Sequence, residues 1–281
     1  MPPRQHSRRY LLAGACYRMA WMEWGPPDGA PVICLHGVTR SGRDFDILAT
    51  ALAKRGRRVL CPDLPGRGAS EWLRDPMLYS PASYVVALAH LLARIDDPVD
   101  WVGTSLGGIC GMMIAAGEGH PLRRLVLNDV GSRVPATATA RIAAYMEQHF
   151  AFQDMAALET HLRLVHAPFG PLSDAQWLHL AEHSARPLPD GRITMHYDPA
   201  ISAPIQAAPK EAVDLSMIWS RVALPTLILR GELSDILDEE TAADMAMRPD
   251  ATLVTLPGIG HAPALMDARQ VGIVTDFLEG R

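Results

Sequence analysis

The run DWVGTSLGGICGMM, from Asp100 to Met113, changes from a strand-like to a helix-like pattern at Ser105. Residues 99–102, with Val99, Trp101 and Val102, are predicted to form a strand buried on both faces, and residues 106–116 have helical length and composition. Ser105 is therefore expected where a parallel strand turns directly into a helix. In open α/β sheets ligands bind at such carboxyl ends of strands, so the Ser105 hydroxyl should stand at the rim of a pocket.

Two glycines frame this serine, in Gly103-Thr104-Ser105-Leu106-Gly107. The pattern G-x-S-x-G is typical of a nucleophilic serine on a strained turn, where small neighbours let strand and helix approach closely. The helix N-terminus would place backbone N–H groups and a positive dipole end beside the hydroxyl. An ordinary turn with an N-cap serine has the same pattern, so the motif alone leaves both interpretations open.

Strand-like and helix-like segments alternate along most of the chain, as in βαβ units around a parallel sheet. Strands are predicted at residues 10–15, 17–24, 32–36, 59–61, 99–102, 125–127, 226–229 and 252–256, and the last helix at 262–279. After Asn128 the alternation lapses, and three segments with helical spacing follow, near 139–150, 154–166 and 173–185. We therefore predict an α/β core of residues 1–131 and 221–281, interrupted by a helical insertion at 132–220.

The composition of the 281 residues excludes several classes of protein. Apolar residues make up 48%, enough for a large core. The 26 Lys plus Arg against 31 Asp plus Glu give a net charge of −5, which does not suit a nucleic-acid or anionic-membrane partner. No uncharged run reaches the roughly 18 residues of a membrane helix. The four cysteines lack the spacing of a zinc site, and we expect them to be unpaired in a cytoplasmic protein.

A nucleophilic serine needs a base for its proton, usually a histidine that a carboxylate orients. Among the eleven histidines, His261 ends the glycine-rich stretch LPGIGH just after the last predicted strand, where a loop can reach over the sheet edge. Two aspartates follow predicted strands and could supply the carboxylate, Asp129 after residues 125–127 and Asp235 after residues 226–229.

Together these motifs resemble the α/β-hydrolase family, and the resemblance extends along nearly the whole chain. Leu35-His36-Gly37-Val38 is similar to the family's oxyanion loop, and PDLPGRGAS, at residues 62–70, is similar to its P-D-x-x-G-x-G-x-S stretch. The resemblance implies an eight-stranded, mostly parallel sheet flanked by helices. It also implies that residues 132–220 form a helical cap over the active site.

The resemblance assigns Ser105 as the nucleophile, His261 as the base and Asp235 as the orienting acid. Asp235 is favoured over Asp129 as this acid because GELSD, at residues 231–235, resembles the family's usual loop. Asp129 could simply bond nearby backbone. Weaker candidates on that loop are Glu232 and Asp238.

The oxyanion hole would consist of the backbone N–H groups of Val38 and Leu106. Three other polar residues in the quoted motifs, His36, Asp63 and Ser70, are expected to be structural.

Ser105, at the strand-to-helix turn, excludes the branches of the family that carry aspartate at this position, which are the haloalkane dehalogenases and epoxide hydrolases. The sequence has no metal-ligand cluster, Walker loop or dinucleotide fingerprint, and we expect no cofactor. The expected reaction is hydrolysis of a small carboxylic ester or lactone by water through an acyl-enzyme on Ser105. A C–C bond hydrolase, an acyltransferase and a ligand receptor on this scaffold remain alternatives. The oligomeric state cannot be predicted.

Two sets of residues could shape substrate choice. Arg40 and Arg43 follow the oxyanion loop and could bind an acidic substrate, or pair with Asp44 or Asp46. Apolar residues of the insertion could line a pocket, although helical spacing also fits ordinary packing. They are Met146, Phe150, Met155, Phe169, Trp177 and Trp219.

Overall fold

A computed structural model describes residues 2–148, 150–209 and 211–281, which form twelve β-strands and ten α-helices. The strands are β1 (Arg4–Leu12), β2 (Ala15–Trp24), β3 (Pro31–Leu35), β4 (Arg58–Pro62), β5 (Val99–Thr104), β6 (Leu122–Asn128), β7 (Arg133–Val134), β8 (Ala185–Pro187), β9 (Ile193–Met195), β10 (Val213–Asp214), β11 (Thr226–Gly231) and β12 (Ala251–Leu256). The helices are α1 (Asp46–Lys54), α2 (Pro81–Leu92), α3 (Leu106–Ala115), α4 (Ala136–Met146), α5 (Met155–Val165), α6 (Asp174–Glu182), α7 (Ala203–Ala207), α8 (Ser216–Trp219), α9 (Glu239–Ala246) and α10 (Ala268–Glu279). None of the helices in these ranges is both long and apolar enough to cross a membrane.

Eight strands form one sheet in the order β1-β2-β4-β3-β5-β6-β11-β12. β2 pairs antiparallel with β1 and β4, and every pair from β4 to β12 is parallel. The predicted eight-stranded, mostly parallel α/β sheet is therefore confirmed. In this order β6 and β11 are neighbours, so their carboxyl ends open side by side at one edge.

Helices cover both faces of the sheet, which explains why the central strands bury apolar side chains on both faces. Along β5, Trp101 packs into the core layer that includes α2, and Val102 packs into the opposite layer with α1 and α10. Both side chains are completely buried. The strand register thus divides the apolar residues of one segment between two cores.

Two predicted boundaries were wrong by six residues. The first strand begins at Arg4, six residues before the predicted start, because it is the sheet's edge strand and its outer half is polar and only partly buried. The last helix begins at Ala268, where Asp267 caps it by accepting from the Gln270 N–H at 2.8 Å. The predicted start at residue 262 instead lies in the loop that carries His261.

Residues 132–220, which we call the insertion, leave the core after β6 and return before β11. At their base β7 and β10 pair antiparallel, with Val134 opposite Val213. Several apolar side chains of the insertion are completely buried in the same cluster as the core of the sheet, among them Leu158 and Leu162. The insertion therefore packs against the core through buried apolar side chains.

Candidate active site

Ser105 lies at the sharp turn between β5 and α3. Its backbone angles, φ 51° and ψ −115°, are unusual for a residue with a side chain, and its hydroxyl makes no capping bond to the helix. Glycine is required on both sides because a Cβ on Gly103 would lie 2.3 Å from the Gly107 carbonyl oxygen, and one on Gly107 would lie 2.0 Å from the Leu35 oxygen. The turn therefore presents a hydroxyl that capping does not use.

His261 lies against this hydroxyl. Its Nε2 is 3.1 Å from the Ser105 Oγ, and its Nδ1 is 2.7 Å from Oδ2 of Asp129. An ionised carboxylate only accepts hydrogen bonds, so Nδ1 carries the proton and Nε2 is left to accept from the serine. This is the tautomer that a general base needs.

Asp129 is fully buried and its carboxylate is held on three sides. Oδ1 accepts from the Gly231 N–H at 2.8 Å, and Oδ2 accepts from the Ser234 hydroxyl at 2.6 Å as well as from His261. Ser234 in turn accepts from the N–H groups of Ile236 and Leu237 at 3.2 and 3.1 Å. These bonds fix the direction in which the carboxylate points.

The prediction that Asp235 contacts His261 was wrong. The Asp235 side chain is 49% exposed and binds Arg141 of α4, with Nε to Oδ2 at 2.6 Å. The loop after β11 instead directs Gly231 and Ser234 at Asp129, which reaches the histidine from the end of the neighbouring strand β6. Asp129, the alternative that the sequence analysis ranked second, is the residue in contact with His261. Its position directly after a buried strand was the feature of the sequence that indicated it. The other two rivals bond elsewhere: Glu232 accepts from the Gly258 N–H and Asp238 caps α9.

Asn128, just before this aspartate, was not singled out in the sequence. Its amide donates to the Thr104 hydroxyl at 2.9 Å and to the Pro263 oxygen at 2.8 Å. It therefore joins the end of β5 to the loop that follows His261, and so fixes the histidine relative to the serine.

The loop after β3 lies beside Ser105, since a Cβ on Gly37 would be 3.7 Å from the serine Cβ. Within the described ranges neither the Val38 nor the Leu106 N–H donates a hydrogen bond, so both donors are available. The next peptide of this loop is anchored by Arg67, whose Nε donates to the Val38 carbonyl oxygen at 2.9 Å. Arg67 is completely buried and also donates to the Tyr84 hydroxyl at 2.7 Å.

His36 supports this loop rather than the chemistry, as predicted. The Leu64 N–H donates to its Nε2 at 2.9 Å, so Nδ1 carries the proton and donates to the Gly37 oxygen at 2.7 Å. Burial lowers the pKa of His36 from 6.5 to about 3 and keeps the ring neutral. Asp63 and Ser70 are also structural: Asp63 accepts from the Gly42 and Ala69 N–H groups, and Ser70 bonds to backbone.

The neutral His36 should make the fold sensitive to acid. Above pH 6.5 the imidazole is neutral in both states, whereas below it only the unfolded chain takes up the proton, so stability falls toward pH 3. Between pH 6.5 and 5 this group should cost about 2 kcal/mol. Urea unfolding at pH 7.5 and 5.0 should therefore show a smaller acid loss in His36→Gln than in the wild type. Equal losses in the two proteins would contradict this role.

A cavity of about 270 Å³ opens over the serine. Core residues Val38, Ser105 and His261 line one side, and insertion residues line the other. Of the six apolar residues considered for the pocket, Met146 and Phe169 do line it. Of the others, Trp177 and Trp219 belong to the hydrophobic core cluster, and Phe150 and Met155 are partly buried and pack against it.

The cavity wall includes a partly buried histidine, His166. His166 stacks on Phe169 with ring centroids 4.5 Å apart, and no described residue bonds its Nε2. Burial holds the pKa of His166 well below its usual value, so the ring is neutral.

The two arginines of the oxyanion loop are already paired. Arg40 lines the cavity but binds Asp44 through Nε and Nη2, at 2.8 and 2.7 Å, and Arg43 binds Asp46. The interpretation that they pair locally is confirmed.

One group of side chains among the described residues has the spacing of a metal site: the ligand atoms of Asp46, His179 and His183 lie within 4.8 Å of one another. Arg43 already binds both oxygens of Asp46, and the His179 Nε2 is 3.0 Å from the Arg43 carbonyl oxygen. A guanidinium thus supplies the cationic partner of this carboxylate, and the cluster joins α6 to α1.

A serine at a strand-to-helix elbow, next to a histidine that a buried aspartate orients, defines the class of α/β hydrolases. The model of the alpha/beta hydrolase family matches residues 32–272, and the chain belongs to this family.

Relatives of known activity and structure agree with this assignment. The chain is 38% identical over 289 residues to the 3-hydroxybutyrate-oligomer hydrolase of Cupriavidus necator, covering 99% of this chain and 98% of that protein. A putative hydrolase from Rickettsia typhi is 28% identical, with a TM-score of 0.91 over 100% of both chains. An α/β hydrolase from Novosphingobium aromaticivorans is 38% identical, with a TM-score of 0.86 over 98% of each chain. The predictions of the family, the fold and a carboxylic-ester hydrolase are confirmed.

Proposed function

We propose that this protein hydrolyses short linear esters of 3-hydroxy acids through an acyl-enzyme on Ser105. The chemistry is supported by the hydrogen bonds that run from Ser105 through His261 to Asp129. They lie beneath a cavity whose volume suits a small ester. The substrate class rests on the full-length similarity to a 3-hydroxybutyrate-oligomer hydrolase.

In the first step the Ser105 Oγ attacks the ester carbonyl carbon while the His261 Nε2 takes its proton. The imidazolium that forms is stabilised by the buried carboxylate of Asp129 at 2.7 Å. The Val38 and Leu106 N–H groups donate to the developing oxyanion, and they need no reorganisation because no described residue accepts a hydrogen bond from either.

In the second step His261 returns the proton to the leaving alcohol, and the C–O bond breaks to give the acyl-enzyme. Water then attacks the acyl carbon while His261 takes its proton. The bond from the acyl carbon to the Ser105 Oγ breaks as His261 returns that proton to Oγ, which releases the acid and regenerates Ser105. The protein needs no cofactor for either step.

We also propose that the insertion, residues 132–220, acts as a cap that selects the substrate. All the residues assigned to the chemistry lie in the core, while Met146 and Phe169 of the insertion form the opposite wall. The volume of about 270 Å³ is at the small end of ligand cavities, so short acyl chains should be preferred.

The test is turnover of the linear 3-hydroxybutyrate dimer and trimer, with chromatography of the released monomer. We expect the wild type to release 3-hydroxybutyrate from both, and Ser105→Ala to release none. p-Nitrophenyl butyrate serves as a general ester control. If that ester is hydrolysed while both oligomers stay intact, the proposed substrate class is wrong although the chemistry stands.

A further inference from the structure

Two arginine side chains line the cavity, and they differ in how many of their guanidinium nitrogens are bonded and in how exposed they are. All three nitrogens of the Arg40 guanidinium are bonded, two to Asp44 and Nη1 to the Ser184 hydroxyl at 2.9 Å, and the side chain is only 6% exposed. Arg40 is therefore a structural ion pair that ties the oxyanion loop to the insertion.

Arg141 differs in both respects. Its Nε and Nη2 bind the two carboxylate oxygens of Asp235 at 2.6 and 2.9 Å, but no described residue bonds its Nη1. The side chain lines the cavity and is 53% exposed. A guanidinium has two edges that each match a carboxylate, and here the edge formed by Nη1 and Nη2 is open.

We propose that Arg141 is a carboxylate-binding site, which receives the free acid end of the ester substrate. This inference rests on the proposed function. In a linear oligomer of a hydroxy acid, the free carboxylate lies on the alcohol side of every ester bond. Arg141 therefore binds the leaving alcohol, while the acyl part is transferred to Ser105. Because one small cavity contains both residues, the bond cleaved lies close to the acid end.

Asp235 has a defined part in this site. By holding the Nε edge it keeps the guanidinium at the cavity and leaves the other edge to the substrate. It also competes electrostatically, because a second carboxylate near Arg141 meets a charge that is already partly neutralised. Removing the charge of Asp235 should therefore strengthen substrate binding.

The experiment compares two substrates, the 3-hydroxybutyrate dimer with a free carboxylate and the same dimer as its methyl ester. The readout is the ratio of their kcat/KM values, acid over methyl ester. Arg141→Gln should lower this ratio about tenfold, mainly through the KM of the acid, since a charge-assisted bond in the bound state is lost. Asp235→Asn should keep or raise it.

Arg192→Gln is the matched control, because Arg192 forms an equally exposed pair with Asp190, at 46% and 51% exposure, and does not line the cavity. It should leave the ratio unchanged. An unchanged ratio in Arg141→Gln, or an equal fall in Asp235→Asn, would overturn the site while dimer cleavage still supports the proposed function. Failure of the wild type to cleave either dimer overturns both proposals.

Discussion

Ser105→Ala is expected to lose ester hydrolysis by a factor of about 10⁴ to 10⁶ in kcat. The reason is that in the proposed mechanism the hydroxyl supplies the attacking oxygen, and among the described residues Ser105 is the one whose hydroxyl bonds to the His261 Nε2. The fold should persist, since this hydroxyl makes no capping bond to α3. The measurement is p-nitrophenyl butyrate turnover, with the thermal unfolding midpoint as a check on folding.

Two further observations make this test specific. A small fluorophosphonate should add one covalent group to the wild type, at Ser105 by mass spectrometry, and none to the alanine variant. Ser105→Gly should be equally inactive yet at least as stable, because glycine adopts φ 51° without strain. Residual turnover near the wild-type rate in either variant, or labelling at another serine only, would remove Ser105 from the mechanism.

The sheet could be predicted because its central strands are buried on both faces, which leaves a signal in composition alone. β11, for example, is short, contains the apolar run at residues 227–229 and is buried along its whole length. β1 gave a weaker signal because an edge strand exposes much of its length, and its start at Arg4 depends on pairing with Glu23 of β2. That pairing joins residues distant in sequence, which local periodicity does not report.

The same division between local and distant information runs through the site. Ser105 and His261 could be placed because each belongs to a short glycine-containing motif whose backbone requirements are local. The aspartate that contacts His261 could not be placed from the sequence, because the choice between Asp129 and Asp235 depends on which strand ends lie beside the loop that carries His261. The strands β6 and β11 are adjacent, and both end in a segment that carries an aspartate.

The residues that line the pocket could not be identified from the sequence for a related reason. Apolar residues at helical spacing pack against whatever lies opposite, and the sequence does not say whether that is a core or a cavity. Trp177 faces the core and Phe169 faces the cavity, although both belong to apolar segments of the insertion. Arg141 carried no motif at all, and its place at the cavity follows only from the packing of α4.

Asp129→Asn is expected to lower kcat by about 10⁴ at neutral pH, the cost known for this change in a serine protease. Asparagine can present its amide N–H to the His261 Nδ1, which places the ring proton on Nε2 and leaves no acceptor for the Ser105 hydroxyl. It also removes the negative charge that stabilises the imidazolium. The side chain is fully buried between Gly231 and Ser234, so no water can replace the carboxylate.

Asp235→Asn is the matched comparison, since it makes the same change on the neighbouring strand end. Its carboxylate is half exposed and bonded to Arg141, so p-nitrophenyl butyrate, which has no carboxylate, should lose at most a few-fold in kcat. Ser234→Ala should fall between the two, because it removes one of the three bonds to Asp129 and leaves the charge. All three should be measured as folded samples, verified by circular dichroism. The opposite ranking, with Asp235→Asn the more damaged enzyme, would return the acid to the loop after β11 and refute the arrangement described for His261.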